Sequence, residues 1–282
     1  MSQGSFDQLD SHFKKQLSCL ETELGRFLPN SSKHASQIHD AMRYSVLDGG
    51  KRIRPLLCLS VCEVLGGDEK EALIAGCALE FIHSYSLIHD DLPCMDNDEL
   101  RRGKPTCHKR FGEAIALLAG DALLTLAFET LAKLKDPKKI QRLTTELAQA
   151  AGAAGMVGGQ AMELVIDQKE IDLPTIDAIH ILKTGQLIKT SSLAGAIIAG
   201  VNSEQEYHIL KYGEYLGFAF QIIDDILDGN GYLRFMSARE ARDKAAEIIE
   251  KGKKEITGFK NNQKLNLIAD LILSRGTIAS QS

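Results

Sequence analysis

Hydrophobic positions recur at helical spacing along nearly the whole chain. Over 6–27, Phe6, Leu9, Phe13, Leu17, Leu20, Leu24 and Phe27 follow one another at steps of three and four, the stripe of an amphipathic helix. A second run, ASQIHDAMRYSVL, ends at Gly49-Gly50. Pro55 stands where a first helical turn begins and opens LLCLSVCEVL, which Gly66-Gly67 closes. The next run, 68–91, is long and richly apolar. It stops near Pro93, because a proline disfavours helical geometry in the residue before it. Further helices are predicted over 107–134, 138–166, 175–200, 204–228, 238–258 and 262–274. No strand alternation stands out, and no linker rich in Pro, Ser or Gly divides the chain. The pattern predicts an all-α fold, one domain over 1–282 built as a bundle of about ten helices, several apolar on more than one side and therefore buried.

Composition narrows the possibilities. At 282 residues and 44% hydrophobic content the chain can build a sizeable core, which excludes a disordered chain, a collagen-like repeat and a disulfide miniprotein. Lys and Arg number 33 against 38 Asp and Glu, a net charge of −5, so no nucleic-acid partner is expected. The apolar stretches near 114–120 and 193–201 are short and interrupted by Gly, so no membrane span is expected. MSQGSFDQLDSHFKKQL has neither a signal-peptide pattern nor the acid-poor character of a transit peptide, and a cytoplasmic location is expected. Six cysteines form no C-x-x-C pair. Cys58 and Cys62, four apart in an apolar run, read as small buried hydrophobes in a reducing compartment.

Two acidic clusters stand out. The first is His89-Asp90-Asp91-Leu92-Pro93-Cys94-Met95-Asp96, followed by Arg101-Arg102; the second is Asp224-Asp225-Ile226-Leu227-Asp228 in the apolar setting FAFQIIDDILD. At roughly 100° per residue, Asp224, Asp225, Asp228 and Gln221 share one arc of a helix. Like charges so placed repel one another, and the apolar flanks argue against a freely solvated face. A cation relieves the repulsion. All-oxygen ligands suit a hard ion, and Mg²⁺ characteristically binds one or two carboxylates together with substrate phosphates. The simpler reading of either cluster alone is a solvated acidic helix end; two of them closing apolar helices favour the metal. A third element, Gly49-Gly50-Lys51-Arg52-Ile53-Arg54-Pro55, joins glycines that admit close backbone approach to three cations and a helix N-terminus, a good anion site. His83 lies two turns before Asp90 on the same helix face; alone it would read as a core histidine. Two acidic clusters and one basic cradle imply two polyanions, one held through metal and one directly.

LEFIHSYSLIHDDLPCMDNDELRRGKPT, GGKRIRP and FQIIDDILD resemble the signature blocks of the short-chain trans-isoprenyl diphosphate synthases, closest to bacterial farnesyl diphosphate synthases (geranyltranstransferases). The resemblance implies an isoprenoid-synthase bundle around a central apolar cavity. It implies three Mg²⁺ ions bridging an allylic diphosphate to Asp90, Asp91 and Asp96 of the first motif and Asp224, Asp225 and Asp228 of the second. By the same resemblance Arg101 contacts the allylic diphosphate, and Gly50, Lys51, Arg54, His83 and Arg102 hold the diphosphate of isopentenyl diphosphate. Lys183, Thr184 and Gln221 match residues lining the reacting carbons and the allylic diphosphate. Residues four and five positions before the first motif, here Ser86 and Tyr85, set product length in the family; an aromatic at the fifth favours farnesyl (C15) over geranylgeranyl diphosphate (C20). Helical angles leave this open, since Ser86 lies about 40° and Tyr85 about 140° from Asp90. A homodimer is implied as well.

The chain departs from the pattern after Asp228. The family has a loop of some twenty residues there, carrying a lysine that reaches the allylic diphosphate; here 229–237 leads directly to the next predicted helix. A true deletion and a loop missing from the sequence both account for it, and a deletion would weaken closure over the site. An inactive homologue acting as regulatory subunit of a synthase is therefore an alternative. A metal phosphohydrolase would need more histidine ligands than His83 and His108 offer, and a terpene cyclase would not need the Lys51–Arg54 cradle.

Overall fold

The computed structural model describes residues 3–30, 35–166 and 171–275, with side chains described from residue 13. Thirteen α-helices occupy most of them. α1 (Gln3–Phe27), α2 (Ser36–Leu47), α3 (Ile53–Val64) and α4 (Glu69–Asp90) come first, then a two-stranded hairpin of β1 (Leu100–Arg101) and β2 (Lys104–Pro105), with Leu100 opposite Pro105. α5 (Cys107–Phe111), α6 (Glu113–Leu131), α7 (Pro137–Ala151), α8 (Met156–Val165) and α9 (Leu173–His180) follow. A π-helical turn (Ile181–Gly185) joins α9 to α10 (Gln186–Ala199). The chain continues as α11 (Ser203–Asp228), a 3₁₀ turn (Gly231–Arg234), α12 (Ala238–Glu255) and α13 (Gln263–Arg275).

Local chemistry sets these boundaries. Asp68 caps α4 by accepting from the Lys70 N–H at 2.8 Å, and Asp136 caps α7 with Pro137 in its first turn. Asn202 with Gln205 opens α11, and Ser237 with Glu240 opens α12, both as reciprocal capping boxes. Three runs predicted as single helices are divided. Gly112, at φ +88°, ends the short α5; Gly152–Gly155 separates α7 from α8; and the π-helical turn, with Gly185 as its last residue, interrupts 173–199.

α4 runs through the middle, packed against α6, α3 and α10, with Phe81, Ile82 and Leu79 fully enclosed. Phe13, Leu20 and Leu24 of the α1 stripe are buried, Leu17 and Phe27 partly so; Phe6 and Leu9 lie outside the described side chains. α10, α11, α12 and α13 surround a second apolar cluster that includes Tyr212, Leu216, Ile222, Ile223 and Tyr232. The expectation that nothing here is long and apolar enough to span a membrane needs correcting. By length and composition α4 and α6 both qualify, and 67% of the apolar α4 window is buried inside the protein, where a core helix needs the same apolar residues. Cys58, Cys62, Cys77 and Cys107 are buried free thiols, as expected of small hydrophobes; Cys94 is exposed.

Candidate active site

A cavity of about 890 Å³ opens between the start of α3, the last turns of α4, α8, the π-helical turn, α11 and the end of α13. Gly50, Lys51, Arg54, His83 and Arg102 all line it, as do Asp90, Arg101, Lys183, Thr184 and Asp224. So do Tyr85, Ser86, Leu117, Met156, Val157, Ala161, Leu164 and Phe220, which make the rest of the wall largely apolar.

The basic loop before α3 divides its cations. Arg52, in a left-handed conformation at φ +48°, turns into the protein. It meets Glu80 at 2.6 Å and Glu21 at 2.7 Å and donates to the Val46 carbonyl, so its guanidinium is taken up by the fold although the residue borders the cavity. Lys51 and Arg54 remain at the cavity, with the Arg102 guanidinium laid over Gly50, whose φ of +125° favours glycine there. Burial and the neighbouring Arg275 push the Lys51 ammonium down to about 8. Burial likewise holds His83 well below its ordinary range, so it is a neutral imidazole with one N–H to donate at pH 7. Cations crowded in this way favour an anion among them.

The acidic motifs supply the opposite charge. In the first, Asp90 faces the cavity and burial pushes its carboxyl up to about 6, while Asp91 is buried and accepts a forked pair from Arg101, Nη2 to Oδ1 at 2.6 Å and Nε to Oδ2 at 2.9 Å. Arg101 thus both lines the cavity and pairs with an acid motif residue. Asp96 is exposed on the loop, its N–H bonded to the Asp90 carbonyl. In the second motif Asp224 lines the cavity and pairs with Arg275 at 2.6 Å. Asp225 turns to the other side of α11, accepting from the Tyr232 N–H at 2.8 Å and from Gln221 at 3.2 Å; burial pushes its carboxyl up to about 7. Asp228 is exposed at the end of the helix. The cavity therefore receives Asp90 and Asp224 directly, whereas Asp91, Asp96, Asp225, Asp228 and Gln221 stand around it.

The short connection after Asp228 is well tied. Gly229 ends α11 at φ +71°, and Tyr232, fully buried, hydrogen-bonds Asp177 and lies under Lys244 at 4.6 Å. Gly231, at φ +54°, is pressed against Asp225, so close that a Cβ would sit 1.9 Å from its Oδ2.

Among the described residues no three Asp, Glu, His or Cys side chains converge as a ready-made metal cage. What the site offers is two half-buried carboxylates, Asp90 and Asp224, facing a shared cavity. That donor set fits Mg²⁺, which takes one or two carboxylates and completes its shell with water and phosphate oxygens.

Several residues at or beside the cavity escaped the sequence reading. Gln160 on α8 lines the wall, and Glu163, three positions later, forms an ion pair with the cavity residue Lys183. The run Gly158-Gly159-Gln160-Ala161-Met162-Glu163 carries a signal for both: Gly159 lets the π-helical turn approach so closely that a Cβ would lie 2.4 Å from the Lys183 nitrogen. Arg275 has no such local signal and reaches the site only through the packing of α13. Tyr85 and Ser86 both line the cavity despite their different helical angles, and the Tyr85 ring meets His89 edge-on at 5.7 Å.

Comparison with known proteins agrees with this geometry. The family model described as polyprenyl synthetase matches residues 35–252. Over 260 residues the chain is 41% identical to a heterodimeric geranylgeranyl pyrophosphate synthase large subunit of Arabidopsis thaliana, covering 83% of this chain and 70% of that protein. Among solved structures, an FPP/GFPP synthase from Zymomonas mobilis superimposes with a TM-score of 0.90 at 39% identity, covering 94% of this chain and 99% of the other. A geranyltransferase from Legionella pneumophila superimposes with a TM-score of 0.86 at 31% identity, covering 95% and 97%. With the family's fold and motifs both present, the chain belongs to the polyprenyl synthetase family, among the short-chain trans-isoprenyl diphosphate synthases, and is a trans-prenyltransferase.

Proposed function

We propose that the chain joins an allylic diphosphate, dimethylallyl or geranyl, to isopentenyl diphosphate and that its end product is farnesyl diphosphate. The observation carrying this reading is that Asp90 and Asp224 share one largely apolar cavity with Gly50, Lys51, Arg54, His83 and Arg102. In this reading Lys51, Arg54, Arg102 and His83 hold the diphosphate of isopentenyl diphosphate, Arg with forked donors and Lys as a point charge. Arg101 and Lys183 take the allylic diphosphate. Asp90, Asp91, Asp96, Asp224, Asp225 and Asp228 are the carboxylates that would carry Mg²⁺, three ions by resemblance, with Asp90 and Asp224 the two that line the cavity. When bound, Mg²⁺ neutralises the charge that builds on the leaving diphosphate.

The allylic C–O bond breaks with its electron pair leaving on diphosphate. The alkene of isopentenyl diphosphate then attacks the allylic carbon, forming the C–C bond. A proton leaves the adjacent carbon for the departing diphosphate, and its C–H electrons form the new double bond. Lys183 and Thr184, which line the cavity, flank the reacting carbons in this reading, Gln221 joins them by resemblance alone, and the apolar walls exclude the water that would quench the cation. Incubating the chain with dimethylallyl and isopentenyl diphosphates and Mg²⁺ tests the reading: C15 product with stoichiometric diphosphate supports it, and no Mg²⁺-dependent product refutes it.

Buried Tyr85 in the wall supports C15. The C20 reading is favoured by the Arabidopsis relative, whose name is that of a geranylgeranyl pyrophosphate synthase subunit. A homodimer is carried by the resemblance alone, and light scattering would read it as twice the chain mass.

A further inference from the structure

The two acidic motifs are not equally ready for a cation. Asp90 faces the cavity with no ion-pair partner among the described residues, whereas Asp224 is met by the Arg275 guanidinium at 2.6 Å. The contact is sheltered, the two side chains being 16% and 25% exposed. Arg275 is the last residue of α13, which is fastened to the bundle by buried Leu265, Ile268, Ala269 and Ile272 and packs against α11. Its guanidinium lies over the Phe220 ring at 4.4 Å. Only part of its donor capacity is used: Nε and Nη1 are buried without hydrogen-bond partners among the described residues. A carboxylate can give its oxygens to a guanidinium or to a divalent ion, and positive charge at 2.6 Å repels the ion as well as occupying the ligand. The spare donors, in a cavity shared with Lys51 and Arg54, are complementary to phosphate oxygens.

We propose that Arg275 is the resident counter-ion of Asp224, closing the second acidic motif to divalent metal until an incoming diphosphate draws the guanidinium away. This rests on the prenyltransferase reading above and adds an order to it. Metal enters first on the Asp90 side, and the Asp224 side opens only when phosphate oxygens offer Arg275 a better set of acceptors. An empty enzyme thereby keeps a half-buried carboxylate neutralised without holding a metal ion there.

Mn²⁺ binding to the full chain, followed by electron paramagnetic resonance with and without inorganic diphosphate, tests this without turnover. Wild type should show Asp224-dependent Mn²⁺ binding only when diphosphate is present. R275Q should bind Mn²⁺ alone about threefold or more tightly than wild type, the order expected for removing one sheltered ion-pair partner. Adding D224N to R275Q should cancel that gain. Unchanged or weaker Mn²⁺ binding by R275Q overturns the proposal. Should R275Q fail to fold by circular dichroism, R275K decides with the same sign, because its single point charge grips the carboxylate less well; unchanged affinity again overturns it. Failure of the underlying reading looks different: D224N would then leave Mn²⁺ binding in the presence of diphosphate untouched.

Discussion

Replacing Tyr85 with alanine removes the phenol ring from the wall of the cavity. The side chain is 5% exposed and braced by His89, whose Nε2 is 3.0 Å from the Leu117 carbonyl oxygen, so the surrounding residues are fixed by their own contacts. The vacated space is about 100 Å³, comparable with the ~150 Å³ cavity that accepts a six-carbon ring. It would extend the cavity of about 890 Å³ by roughly a tenth. A five-carbon isoprene unit fits a space of that order. Burying its carbons at about 0.8 kcal/mol each favours one more elongation over release by about 4 kcal/mol. Mass analysis of products from dimethylallyl and isopentenyl diphosphates should therefore show C15 for wild type and for Tyr85→Phe, and C20 or longer for Tyr85→Ala. Identical product profiles for wild type and Tyr85→Ala would refute the floor argument. So would a loss of C15 in Tyr85→Phe, which keeps the ring.

Two further outcomes follow from other parts of the structure. Gly231→Ala would drive a Cβ into the Asp225 carboxylate and force a left-handed residue at about 1 kcal/mol of strain. The Mg²⁺ concentration for half-maximal diphosphate release should rise several-fold, and an unchanged value would break the link between the short connection and the second motif. Asp68→Ala should cost about 1 kcal/mol in urea unfolding at pH 7. The Lys70 N–H holds the Asp68 carboxyl below its ordinary range, so its stabilisation is complete above about pH 3.9 and fades as pH falls through the folded value. The penalty should shrink by pH 3; an equal penalty there would refute the capping account.

Much of this molecule can be read from local chemistry. The capping residues Asp68, Asn202 and Ser237 mark their helices in the sequence, and the hydrophobic period of 68–91 foretells a central helix because burial on all sides leaves few polar positions. Helix interruptions are harder. The π-helical turn at Ile181–Gly185 arises from tertiary packing against Gly159 and Gly217, which the period of its own segment does not encode. The site shows the same division. Asp90 and Asp224 announce themselves as clustered charge in apolar surroundings. The different fates of the three neighbouring cations do not: Arg52 turns inward to Glu21 and Glu80 while Lys51 and Arg54 face the cavity, a choice made by the left-handed backbone at Arg52 and by α1 and α4 behind it. Arg275, 51 positions after Asp224, meets it only because α13 folds back along α11.

The most direct test of the account is the initial rate of diphosphate release from geranyl and isopentenyl diphosphates with Mg²⁺, compared among wild type, Asp90→Asn and Asp224→Asn. Each substitution keeps shape and removes one negative charge from the cavity. Each should lower the rate by about 10²-fold or more, the scale on which removing one stabiliser of transition-state charge acts, with helical content unchanged. A wild-type rate in either variant would contradict the claim that these two carboxylates together drive release of the leaving group.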